Sequence, residues 1–288
     1  MRGKLPVAAT VAAGVLGVAA GTWPTVRAEA GGPEGPSMRS QLAAVVADQR
    51  WPAPKPGSWT PPQPAPDGLP PVIDRIITND KVVFLTIDDG YEYDPEFVRL
   101  VRTRKVPIMT FLTTRYVKGQ GQYFWALRNA GSRMENHTVS HPDMRTLSPE
   151  AQRKEICDAS QTIAQQYGRR PQIFRPPFGS YNRETREAAK QCGIKSLLLW
   201  SAEYYNGTTG PGVGYDGFAR ADGGTGFKPG DIVLMHYRKG LAKQFETILG
   251  WIRQQGFRPA AVENYIPRSL GGEAPDAPAS TKNSTKKQ

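Results

Sequence analysis

From Val82 onward, short apolar runs alternate with stretches whose apolar residues recur at helical spacing. VVFLTI (82–87) is unbroken and of strand length. Asp94-Pro95-Glu96 supplies an N-cap and a first-turn proline, and opens a helix carrying Phe97, Val98 and Val101. PIMTFL (107–112) reads as a second strand, and YFWALRNA as a helix closed by Gly131. Ser148-Pro149 opens a long helix with Ile156, Ile163 and Ala164 on one face. QIF (172–174), the helix NRETREAAKQCG, SLLLW (196–200), DIVLM (231–235), a helix over 240–255 and a final FRPAAV complete the series. Six or seven strand–helix repeats predict an α/β fold of parallel strands with helical crossovers, closed as a barrel or open and doubly wound. Both architectures gather functional groups at the carboxyl ends of the strands.

The flanks do not follow this pattern. Residues 1–30 read as a secretory signal peptide, with Arg2 and Lys4, an apolar stretch from Leu5 to Ala20, and an Ala28-Glu29-Ala30 cleavage site. The apolar stretch is shorter than the roughly 20 residues a spanning helix needs. Cleavage after about Ala30 would deliver the chain to the cell envelope or beyond, and membrane contact is expected only through this segment. Residues 31–70 are rich in Pro, Gly, Ala and Ser and read as a linker; residues 268–288 read as a disordered polar tail. The folded domain is therefore expected over 71–267. A net charge of +11 suits an anionic envelope or polysaccharide surface, and no nucleic-acid-binding motif is present. Composition does not address the oligomeric state. Cys157 and Cys192 are the two cysteines of the chain, and a bridge or two buried thiols are equally open.

Candidate chemistry begins where VVFLTI ends. Asp88 and Asp89 stand side by side before Gly90, and a turn would use one Asp and the glycine but not the second carboxylate. A division of labour uses both: one carboxylate ligates a metal, and its neighbour takes a proton from the attacking water. Each of the three histidines follows a strand-like segment. His137 and His141, in NHTVSH, have an H-x-x-x-H spacing that would place both imidazoles on one face of a helical turn. His236 follows DIVLM and is the remaining imidazole available as an acid. Arg175 lies in RPPFG, where two prolines and a glycine fix the backbone. Asp89, His137 and His141 would hold Zn²⁺, Co²⁺ or a similar ion with a position left open. Asp88 would then be the base, Arg175 the charge keeping it ionised, and His236 the acid.

These residues resemble the motifs of the polysaccharide deacetylases of carbohydrate esterase family 4, the chitooligosaccharide deacetylase homology domain. T-F-D-D-G is matched by Thr86 to Gly90, H-[ST]-x-x-H by His137 to His141, R-x-P-x-G by Arg175 to Gly179, and L-x-H by Leu234 to His236. The resemblance implies a distorted (β/α)7 barrel that removes acetyl groups from N-acetylglucosamine-containing polymers such as peptidoglycan or chitin. An O-acetyl xylan esterase with the same machinery is the alternative within the family. It further implies Leu234 in the acetyl pocket and the Phe178 backbone N–H on the oxyanion. The fourth motif departs from the pattern: Glu203, Asn206 and Gly207 stand where the family places Asp, Asp and Trp. Glu203 is then the candidate to orient His236, and Tyr204 or Tyr205 is available to stack on a sugar in place of the indole. A non-catalytic glycan-binding wall protein would also tolerate that departure, but binding alone has no use for a base beside a metal.

Overall fold

The computed structural model describes residue 51, residues 55–204 and residues 218–275. In chain order the strands are β1 (Trp59–Thr60), β2 (Val72–Ile73), β3 (Ile77–Thr78), β4 (Val82–Asp89), β5 (Ile108–Leu112), β6 (Arg133–Asn136), β7 (Ile173–Phe174), β8 (Ser196–Leu198), β9 (Ala202–Tyr204), β10 (Phe218–Arg220), β11 (Asp231–His236) and β12 (Arg258–Pro259). The helices are α1 (Pro95–Arg104), α2 (Thr114–Val117), α3 (Gly121–Asn129), α4 (Pro149–Tyr167), α5 (Arg183–Gln191) and α6 (Leu241–Gln254). The main sheet runs β10-β9-β11-β4-β5-β6-β7-β8-β2, with β12 added against β4. It is parallel except for the β9–β10 pair and curls into a half-barrel that stays open. This is the distorted barrel that the motif resemblance implies, with helices on the outer face.

All eight residues of β4 are buried, as expected of a central parallel strand covered on both faces. Its side chains alternate. Val83, Leu85 and Ile87 face outward with Val233 and Met235, under Phe97 and Leu100 of α1 and Phe245 and Ile248 of α6. Val82 and Phe84 face inward with Met109, Phe111 and Ile232, against Val262, Tyr265 and Leu270 from the end of the domain. Thr86 and Asp88 continue the inward series, so the first carboxylate emerges inside the half-barrel. Helix starts follow the sequence signals: Asp94 accepts from Glu96 N–H, Ser148 from Ala151 N–H, and Asn182 and Thr185 form a capping box. No helix among the described residues is long and apolar enough to cross a membrane.

Both expected domain boundaries move outward. Within the segment read as a linker, β1 pairs with β3, Leu69 is buried, and Asp67 bonds to Arg186 of α5. Trp51 is also buried, with Arg253 stacked on its ring at 5.0 Å. A proline-rich chain lacks a core of its own, but it lies well on a surface already built. The segment read as tail begins later than residue 268: Arg268–Leu270 forms a 3₁₀ turn, and Leu270 and Ala274 are buried. Gly272 makes this return tight, since a Cβ there would lie 1.9 Å from the Ile266 carbonyl oxygen. The signal segment (1–30) and residues 276–288 lie outside the described residues.

Cys157 of α4 and Cys192 at the end of α5 form a disulfide across a sequence separation of 35. Closing a loop of that length restricts the unfolded chain by about 3–4 kcal/mol. A Cys157→Ala, Cys192→Ala double variant is expected to lose most of that in urea unfolding. A loss under 1 kcal/mol would show that the bridge adds little to the packing between α4 and α5.

Candidate active site

The register of β11 against β4 sets His236 opposite Asp88 and Leu234 opposite Thr86. Two of the motifs thus converge at one edge, and β7 brings a third. Arg175, which follows β7, is fully buried and reaches across the half-barrel. Its Nη1 donates to Asp88 Oδ1 at 2.7 Å and to Thr86 Oγ1 at 2.8 Å. Nε donates to the Leu198 carbonyl at 2.8 Å, Nη2 to the Leu199 carbonyl at 3.0 Å, and Phe111 lies under the guanidinium at 4.2 Å. Burial pushes the Asp88 carboxyl up to about 6, against the pull of Arg175 and His236.

Neighbouring residues of a strand face opposite ways, so two adjacent aspartates reach one site only if the backbone breaks its alternation. It does so at Asp89, with φ 81°, and Gly90 follows at φ 89°. A non-glycine residue held there costs on the order of 1–3 kcal/mol and persists because the surroundings fix it. Burial alone would raise the Asp89 carboxyl, but His137, His236 and His141, charged in the acid range where that carboxyl titrates, together with Arg238 outweigh it and hold the group low.

The two motif histidines are not on a helical turn. Residues 137–141 form a loop after β6, with left-handed backbone at Thr138 (φ 72°) and His141 (φ 63°). The spacing works because this reversal, rather than a 3.6-residue period, brings the rings to 4.9 Å between centroids. Asn136 Oδ1 accepts from Thr138 N–H, and the Glu155 carboxylate accepts from Val139 N–H, Ser140 N–H and Ser140 Oγ–H. His137 Nδ1 donates to the Arg175 carbonyl at 2.7 Å, which leaves Nε2 with its lone pair toward the aspartates. Burial holds His137 down to about 4, and burial also lowers His141 and His236.

One ligand atom each from Asp89, His137 and His141 lies within 4.8 Å of the other two. His141 Nε2 is 3.3 Å and His137 Nε2 3.7 Å from Asp89 Oδ1, a buried oxygen with no hydrogen-bond partner. Two neutral imidazoles converging on an orphaned carboxylate oxygen suit a borderline divalent cation. The donor set therefore fits the expected metal.

The other expected site residues divide. Leu234 is buried on the inner face of β11 beside the site. Phe178 is 68% exposed at φ 60°, its ring 4.7 Å from that of His141. Glu203 pairs with Leu234 across β9 and β11, and its charge acts on Arg175. Tyr204 is a correction: strand alternation turns it to the other face, where it is 9% exposed and packs on Trp251 at 5.7 Å. Tyr205, Asn206 and Gly207 lie outside the described residues. Sequence reasoning gave Thr86 a place in the first motif but no contact with Arg175, and it missed Asn136, Glu155 and Arg238. Asn136, an Asx-turn former just before His137, was the one with a readable signal.

An open α/β half-barrel with two carboxylates, two converging imidazoles and a buried arginine at its strand ends belongs to the class of barrel hydrolases. The polysaccharide deacetylase family profile matches residues 75–197. An uncharacterized Streptomyces coelicolor protein is 39% identical over 202 residues, covering 69% of this chain and 78% of its own. The Bacillus subtilis peptidoglycan-N-acetylmuramic acid deacetylase is 24% identical over 197 residues, 66% of this chain and 73% of its own. A Bacillus anthracis pseudoenzyme of carbohydrate esterase family 4, in a mutant form with restored activity, superposes with a TM-score of 0.59 at 25% identity, covering 72% of this chain and 75% of its own. The chain belongs to the polysaccharide deacetylase family.

Proposed function

We propose that the protein is an exported, metal-dependent N-deacetylase that hydrolyses acetamido groups of an amino-sugar polymer, peptidoglycan first among them, to amine and acetate. The observation that carries this reading is Asp88: a buried carboxylate bonded to Arg175, next to the Asp89-His137-His141 donor set but outside it. Binding a glycan does not call for a base in that position. Family membership and relatives named as peptidoglycan deacetylases support the substrate class. The basic charge and the signal-like residues 1–30 support export to the envelope.

Asp89, His137 and His141 would hold the ion, for which zinc suits one oxygen and two nitrogens. When bound, it polarises the acetyl carbonyl and acidifies water. Asp88 takes the proton of the attacking water, and Arg175 keeps that carboxylate aimed by filling Oδ1. His236, across the β4–β11 pair, gives a proton to the departing nitrogen. Leu234 lines the acetyl side, and the exposed rings of Phe178 and Tyr91 offer stacking surfaces in place of Tyr204.

The test is acetate release by the zinc-loaded full chain from peptidoglycan and from N-acetylglucosamine oligomers, with a chelated sample alongside. Release is expected to stop on chelation and return with zinc. Folded, zinc-bound protein that releases nothing from these polymers or from acetylated xylan would refute the catalytic reading and leave glycan binding, consistent with the likeness to a pseudoenzyme.

A further inference from the structure

The β4–β11 register carries the two residues after His236 along the rim of the site. Tyr237 N–H donates to the Asp88 carbonyl at 3.0 Å, while the buried Tyr237 ring points outward to Thr110. Arg238 turns back, and its Nη2 donates to Asp89 Oδ2 at 2.7 Å. Nη1 bonds to the Tyr237 carbonyl at 3.0 Å, and the guanidinium stands 5.7 Å from the Tyr91 ring centroid. The two oxygens of Asp89 are thereby divided. Oδ2 belongs to Arg238, whereas Oδ1 is buried, unpartnered and faces the two imidazoles.

We infer that Arg238 is a positioning residue that restricts Asp89 to one ligating oxygen. The inference rests on the metal-dependent reading above. A carboxylate with both oxygens free can chelate a divalent ion through both, and in a site of four or five positions the second oxygen would displace a reactant. A charge-assisted bond from a side chain that is always cationic holds Oδ2 out of that competition. The same cation draws electron density from the carboxylate and repels the ion. Its removal is therefore expected to leave metal binding intact or tighter while turnover slows, a split that a merely structural ion pair would not produce.

The experiment compares wild type, Arg238→Gln and Arg238→Lys as full chains loaded with Co²⁺ or Zn²⁺. In Arg238→Gln the metal Kd is expected to stay level or fall, the visible absorption envelope of the Co²⁺ form to change, and kcat to drop by about tenfold or more. Arg238→Lys keeps a cation and a donor for Oδ2, and should bring the spectrum back toward wild type. An unchanged Co²⁺ spectrum in Arg238→Gln, a Kd raised about tenfold, or a loss confined to KM would overturn the inference; the last would make Arg238 a substrate contact. Wild type that binds neither ion would bring down this inference and the metal-dependent reading together. A wild type that binds metal without turnover would sink the catalytic reading alone, because the spectral comparison needs no activity.

Discussion

Asp88→Asn is expected to lower acetate release by at least about a hundredfold while the protein keeps its metal, and His137→Ala to lose both. The structure separates the two roles. Asp88 spends Oδ1 on Arg175, whereas His137 presents Nε2 to Asp89 with its tautomer fixed by the Arg175 carbonyl. An amide at residue 88 can still receive the guanidinium bond through its oxygen, so the fold should survive; what disappears is an acceptor for a proton. A base works only when ionised, so turnover should rise with pH on the acid side. Burial puts Asp88 at about 6 despite Arg175 and His236, and a metal cation beside it would favour the carboxylate further, so the limb should fall at or below pH 6. Equal metal loss from both variants, measured by competition with a chromophoric chelator, would contradict these assignments.

The legible parts of the sequence were those with a short-range physical cause. An unbroken apolar run predicted β4, caps and first-turn prolines predicted α1 and α4, and the motif residues stood at strand ends where the parallel architecture gathers chemistry. The illegible parts depended on contacts between distant segments. Nothing around Arg238 marks it as a partner of Asp89, because the pairing exists only through the β4–β11 register. Leu270 and Ala274 sit in a polar, glycine-bearing stretch that looks unfoldable alone and is held by a surface contributed by the rest of the domain. Tyr204 failed for a local reason: the two-residue period of β9 turns Glu203 and Tyr204 opposite ways, so both cannot serve one site. His137 and His141 had the right spacing for the wrong reason, since left-handed backbone replaces the helical turn.

Arg175→Met should be the most destabilising single change at the site, by about 3–5 kcal/mol at neutral pH, because it leaves a buried carboxylate without its counter-charge. The guanidinium serves Asp88, Thr86 and the carbonyls of Leu198 and Leu199 at once, and Phe111 stacks beneath it. Lysine cannot span those acceptors, so Arg175→Lys should recover only part of the loss. The pH dependence distinguishes this cause from simple loss of packing. Asp88 in the folded wild type already sits at about 6, above its unfolded value of 3.8, so the folded state holds the extra proton and its stability declines as pH rises through that window. Without Arg175 the folded pKa moves higher still, and the decline continues to higher pH. The gap between wild type and variant therefore opens above pH 6 and narrows below it, where Asp88 is protonated in both and only the lost hydrogen bonds remain. Urea unfolding of the metal-free proteins at pH 5 and pH 8 reads the two values directly. A gap of equal size at both would mean that the buried arginine acts through shape alone, and that charge balance at Asp88 is supplied by His236.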